Sequence, residues 1–149
     1  MALKRGFMLV IGLLLTAGCF QIEMHDVSSE PKYSRLIGEH IRLREHVWAT
    51  AITSDQDYAK SVDYIVLVPG VGFTGPEVIS RSRIAPGAEY EIVRVLSGAP
   101  IAASRVAYVV QRVGAASDGD VPIRIKVPGD LEGQNLGLDR ATFEAIERP

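Results

Sequence analysis

The sequence predicts a mostly β protein, a small antiparallel barrel or sandwich with a short C-terminal helix, and three observations carry that expectation. The stretch "YIVLV" (64–68) is apolar throughout and rich in β-branched residues, as a central strand is. In "VPIRIKV" (121–127), Val121, Ile123, Ile125 and Val127 alternate with Pro122, Arg124 and Lys126, the period of a strand with one buried face. Clusters of turn residues, "VPGVGFTG", "LSGAP", "GAASDGD" and "VPGDLEGQN", cut the chain at short intervals, as connections between short strands do.

The first 18 residues stand apart from that pattern. "MALKRGFMLVIGLLLTAG" opens with Lys4 and Arg5, continues as an apolar run from Gly6 to Leu15, and closes on the small residues Thr16, Ala17 and Gly18. This order is that of a secretory signal. At about ten residues the apolar run is half the roughly 20 that a membrane-spanning helix needs, so residues 1–18 are expected to be removed. Cys19, the single cysteine, follows directly.

Leu15, Thr16, Ala17, Gly18 and Cys19 resemble the lipobox of bacterial lipoproteins, with Gly18 and Cys19 in its strictest positions and Thr16 where the commonest pattern has Leu. The resemblance implies that Cys19 is the lipidation site. Its sulfur would carry a diacylglyceryl group and its freed amine a further acyl chain, such as palmitate. Each buried methylene contributes about 0.8 kcal/mol, so several chains together anchor stably. In such lipoproteins an Asp after the cysteine retains the protein in the inner membrane. Phe20 and Gln21 stand here, which implies an outer-membrane anchor facing the periplasm.

Removal of residues 1–18 takes two of the 16 basic residues and none of the 18 acidic ones, leaving a net charge of −4. A weakly acidic domain is a poor match for nucleic acid. One cysteine permits no internal disulfide, so stability must come from a hydrophobic core, for which about 130 residues suffice. The polar stretch after Cys19, "FQIEMHDVSSEPKYS", has no sustained period and is expected to form with it a flexible tether over 19–34. A single β-rich domain then fills 35–149.

Along that domain, "GEHIRLREHVW" (38–48) read as one strand puts Ile41, Leu43 and Val47 on one face, with Glu45 the exception. The other face would carry His40, Arg42, Arg44, His46 and Trp48, a basic stripe suited to an acidic partner because guanidinium forks match carboxylates and phosphates. These five are the candidate partner-binding residues. His40 and His46 lie too far apart along a strand, about 20 Å, to share a metal ion. Asp55 and Asp57 in "TSDQDY" read as solvated loop acids. Gly70, Gly72 and Gly75 form G-x-G-x-x-G after an apolar strand, but "PEVISRSRIAPG" is no long helix to face a pyrophosphate, so a glycine-rich hairpin or loop is expected.

Further strands are expected at "EYEIVRVL" (89–96) and "SRVAYVVQRV" (104–113), with 121–127 at a sheet edge because Pro122 cannot donate to a ladder. "IAPGAEYEIVRVL" resembles the strand entry of small SH3-like barrels. Near the C-terminus Asp139 suits an N-cap, Leu138 and Phe143 could form a staple, and Phe143 with Ile146 makes an apolar pair, together predicting the short helix. No serine sits in G-x-S-x-G and the thiol is committed to lipid, so no catalytic, cofactor or metal site is expected. The function expected is a non-catalytic accessory or structural binding module for another envelope component, a protein or the peptidoglycan. The alternative is a periplasmic inhibitor or immunity protein that blocks a hydrolase or toxin with the loop "PGVGFTGPE".

Overall fold

A computed structural model describes residues 23–55, 57–58, 61–72, 74–98, 105–114, 121–129 and 131–147. Residues 1–22, with the expected signal segment and Cys19, lie outside them. Described strands run at His25–Asp26 (β1), His40–Leu43 (β2), Val47–Ile52 (β3), Tyr64–Pro69 (β4), Val78–Ile84 (β5), Glu89–Gly98 (β6), Arg105–Arg112 (β7), Ile123–Val127 (β8) and Phe143–Ile146 (β9), with a helical turn at Pro31–Ser34 (α1) and a 3-10 turn at Gln134–Gly137. The protein is mostly β, as expected. Its sheet is mixed and is not closed into a barrel: the order is β5-β3-β4-β8-β7-β6-β2-β9, with β1 beside β6 and the pair β4–β8 parallel.

Chain connectivity forces that sheet to fold over on itself. β2 and β3 lie five strand intervals apart in the ladder, roughly 24 Å if flat at about 4.8 Å per interval. Only residues 44–46 join them, and the four steps from Leu43 to Val47 reach at most about 14 Å. The ends of the sheet must therefore approach each other. A second corner, "APGA" (85–88), joins β5 to β6; there Gly87, at φ 85°, donates its N–H to the Leu43 carbonyl at 2.8 Å, while Leu43 donates to Ala88 at 2.9 Å. Inside the fold, one cluster collects Ile41, Leu43, Val47, Leu67, Tyr90, Ile92, Val95, Tyr108, Val110, Ile125 and Phe143 from seven strands.

Four expectations are corrected. Residues 23–34 lie on the domain instead of forming a tether: His25 and Asp26 pair with Ser97 and Leu96, Val27 donates to the Val95 carbonyl at 2.9 Å, and Tyr33 of α1 is buried in the core. β8 is an interior strand between β4 and β7, because Pro122 precedes its first residue and the missing donor falls outside the ladder. The Pro122 carbonyl even accepts the Ile65 N–H at 2.9 Å.

At the C-terminus a strand replaces the helix. Asp139 does begin a turn, accepting the Ala141 N–H and the Thr142 hydroxyl on its carboxylate and the Phe143 N–H on its carbonyl. One turn is too short to persist in isolation, and β2 offers an open ladder, so Phe143 to Ile146 pair with Leu43 back to His40. Leu138 and Phe143 are both buried, as a staple would have them, but in a strand's core. The last correction concerns 38–48, which is two strands and a corner. Gly70 and Gly72 lie in a loop at φ 68° and 69°, and β5 follows it where a dinucleotide site would need a helix. Since β4 and β5 both pair with β3, that loop closes no hairpin between them.

Candidate functional site

The expected basic stripe is divided by the corner at 44–46. Burial keeps the anticipated alternation: Ile41, Leu43 and Val47 are buried, Arg42, Arg44 and His46 exposed, His40 and Trp48 intermediate. The strands part, however, and each candidate has different neighbours. Arg42 forms an ion pair with Glu89 at 2.7 Å, and Arg44 donates to the Arg140 carbonyl at 3.3 Å. His40 lies on β2 between Glu91 and Ile146, while His46 is on the corner. Only Trp48 enters a new constellation, opposite Val68 on β4 and Arg83 on β5.

That constellation is the outer face of the sheet. Residues paired directly across a ladder share a face, so one row runs Arg94 (β6), Val109 (β7), Arg124 (β8), Val66 (β4), Thr50 (β3) and Arg81 (β5). Next to it, two residues along each strand, Lys126, Trp48 and Arg83 point the same way. The opposite face carries Val95, Tyr108, Ile125 and Leu67, which are core.

Small and β-branched residues therefore form the floor of the cationic face, and the arginine stems lie over them. Val66, Thr50 and Val109 are 2, 1 and 3 % exposed although they face away from the main core, as expected where long charged side chains cover apolar surface with their methylenes. Arg124 is the centre of this cover. Its Cζ stands 4.0 Å from the centroid of the Tyr64 ring, a cation–π contact. Its Nε is buried without a hydrogen-bond partner, as is the Thr50 Oγ1 on the same row.

Burial pulls the Arg124 pKa below its ordinary value; Tyr64 opposes that, the Arg94 charge adds to it and Asp63 opposes it. Arginine nonetheless stays protonated. Among the described residues, Arg83, Arg94 and Arg124 make no ion pair. A domain with a net negative charge thus concentrates cations on one face, where several are not neutralised. Chemically the face suits carboxylates or phosphates held against arginines, with Trp48 and Tyr64 as flat apolar contacts.

Arg81, Arg83, Arg94 and Arg124 were not among the sequence candidates. "VISRSRI" already places Arg81 and Arg83 on one face by its period of two, and "IRIK" does the same for Arg124 and Lys126. That these pairs share a face with each other depends on cross-strand register. Elsewhere, the Asp55 carboxylate accepts the Asp57 N–H at 2.9 Å in a local turn. In the loop 69–77 Val71 is 55 % exposed. Comparison with protein-family models, curated proteins and solved structures gives no match.

Proposed function

We propose that this chain is a lipid-anchored protein of the outer membrane, held through Cys19 and facing the periplasm, whose β domain is a non-catalytic docking module for an acidic envelope component. The observation that carries the reading is the order of the first 19 residues: cations, a ten-residue apolar run, small residues, cysteine. The cationic outer face supports the docking half. The position of β1 adds a geometric consequence. It begins six residues after Cys19, a reach of about 21 Å at most, so an anchored domain would sit close to the lipid surface.

Labelled palmitate tests the anchor directly. Wild-type protein should incorporate it and fractionate with membranes, and Cys19→Ser should do neither. Wild-type protein that stays soluble and unlabelled would end the localisation reading. A pull-down from detergent-solubilised membranes then identifies the docked component. The exposed Val71 in the loop 69–77 favours a second reading, a periplasmic inhibitor or immunity protein. On that reading Val71→Asp should abolish inhibition of a captured hydrolase or toxin, whereas the docking reading predicts no effect.

A further inference from the structure

The chain that follows Cys19 reaches the domain at one particular end of the sheet. β1 pairs antiparallel with β6, His25 opposite Ser97 and Asp26 opposite Leu96, so the residues before β1 approach from the side of Gly98, where β6 ends. Arg105, the first residue of β7, stands opposite Gly98. Four residues on, Val109 lies in the outer-face row between Arg94 and Arg124. An even spacing along a strand keeps Arg105 on that same face.

Arg94, Arg105 and Arg124 thus form a triangle on three neighbouring strands, β6, β7 and β8. Arg94 and Arg124 are two strand intervals apart, about 10 Å, and Arg105 lies about 13 Å along the strands from their row. Arg94 and Arg105 are exposed, and Arg124 is half-buried. Among the described residues none of the three makes an ion pair. The acids whose charges bear on them are Asp26, which already accepts the Ser28 hydroxyl and amide, and Asp63. Asp63 directly precedes β4, at the end of the sheet remote from Arg105.

We propose that Arg94, Arg105 and Arg124 bind the phosphates of anionic phospholipid, so that the domain lies with its β6-β7-β8 face on the membrane that anchors it. Guanidinium forks match phosphate oxygens. Position selects lipid over an acidic protein. Attraction to a charged surface fades within a screening length of about 8 Å at physiological salt, so only a face held near the lipid profits from it. Six residues separate Cys19 from His25, about 21 Å at full stretch, and they arrive beside Arg105. This inference rests on the anchored docking reading and names the acidic component as the membrane itself.

The lipidated full chain is reconstituted in vesicles of phosphatidylcholine alone or mixed with phosphatidylglycerol, and arginine modification by phenylglyoxal is mapped by mass spectrometry. Arg94 and Arg105 should react about tenfold more slowly on the anionic vesicles. Arg112 is the internal control and should react alike on both, being exposed, on the other face of β7 and about 23 Å along it from Arg105. At about 1 M salt, where the screening length is about 3 Å, the protection should vanish while the acyl chains keep the protein on the vesicles. In the unlipidated chain with Cys19→Ser, flotation with anionic vesicles should fall at least tenfold on adding Arg94→Glu and Arg105→Glu, since each cation near such a surface contributes about fivefold.

Equal modification of Arg94 and Arg105 on the two kinds of vesicle would overturn the lipid assignment without recourse to any variant. Should that occur while the membrane pull-down captures an acidic protein with wild type and not with the double variant, the lipid face is wrong and the docking module stands. If Cys19 carries no lipid but the chain floats with anionic vesicles through these arginines, the face stands and the anchor reading falls.

Discussion

β9 is four residues long and lies against an asparagine amide that accepts its Ala145 N–H and donates to its Phe143 carbonyl; β5 is seven residues long and, among the described strands, pairs with β3 alone. The two strands are opposite ends of one ladder. An edge left bare is a template for any extended chain, so proteins shorten it, cover it or charge it. Here both solutions occur in one sheet. The β9 edge is capped by residues in a costly conformation: Asn135 and Leu136 hold φ 62° and 56°, at roughly 1–2 kcal/mol per residue for left-handed backbone. The turn is tied by the Tyr108 hydroxyl, which donates to the Leu136 carbonyl at 2.7 Å and whose pKa burial pushes above its ordinary value. The β5 edge is only charged.

The largest effect expected comes from baring a third edge. β1 covers β6 beyond the reach of β2, with Ser28 Oγ accepting the Val95 N–H at 2.9 Å and Val27 packed on the core. A chain beginning at Tyr33 should lose about 4 kcal/mol in urea unfolding relative to one beginning at Phe20, from one partly buried valine and two or three hydrogen bonds. Equal stability of the two chains would restore the tether and remove β1 from the comparison.

Asn135→Ala should cost about 3 kcal/mol, since three side-chain hydrogen bonds of about 1 kcal/mol each are lost. Amide exchange at Ala145 should accelerate relative to wild type. If Ala145 stays protected, the cap does not close the edge. Proline substitution sharpens the other side. Ser82→Pro removes a ladder donor and should cost about 2 kcal/mol, whereas Arg83→Pro removes an outward one and should cost about 1 kcal/mol or less. Equal losses would show that the outward and inward assignments along β5 are wrong.

The smallest effect is in acid. Hydrogen bonds from Thr142 hold the Asp139 pKa below its ordinary value, and those from Ser28 do the same for Asp26. A carboxylate whose folded pKa is depressed contributes stability above its unfolded value, near pH 4, and loses it as the pH falls through the folded one. Stability should therefore be flat in these two groups from about pH 7 to about pH 5 and decline only below about pH 4. Asp139→Asn should flatten part of that acid limb, read as faster exchange at Ala145. An unchanged limb would separate the Asp139 turn from the β9 cap.

Much of the fold was legible because alternation belongs to one strand at a time. Ile123 and Ile125 against Arg124, or Ile41, Leu43 and Val47 against Arg42 and His46, can be sorted into faces without knowing any neighbour. The errors all lie where a neighbour decides. Phe143 and Ile146 fit a helix face as well as a strand, and the open ladder of β2 decided between them. Pro122 excludes a donor at one position only, and whether that position falls inside a ladder depends on β4. Two residues at His25–Asp26 carry no pattern at all. Of the candidate site, the arginine pairs were visible as periods, while Arg94 entered only through its register with Val109 and Arg124.

By itself, then, the sequence determined the β class, the inward and outward parity of most strands, and the N-terminal order of charge, apolar run and Cys19. Those are short-range properties, set by pleat geometry and by the transfer of side chains out of water. Strand order, the corner at 44–46, the cap on β9 and the assembly of Arg94, Arg124, Arg81, Arg83 and Trp48 on one face were decided only by the tertiary structure. Several strands compete for the same backbone donors and acceptors, and the winner is the arrangement that also buries Tyr108, Ile125 and Leu67 together, a condition no local window of residues contains.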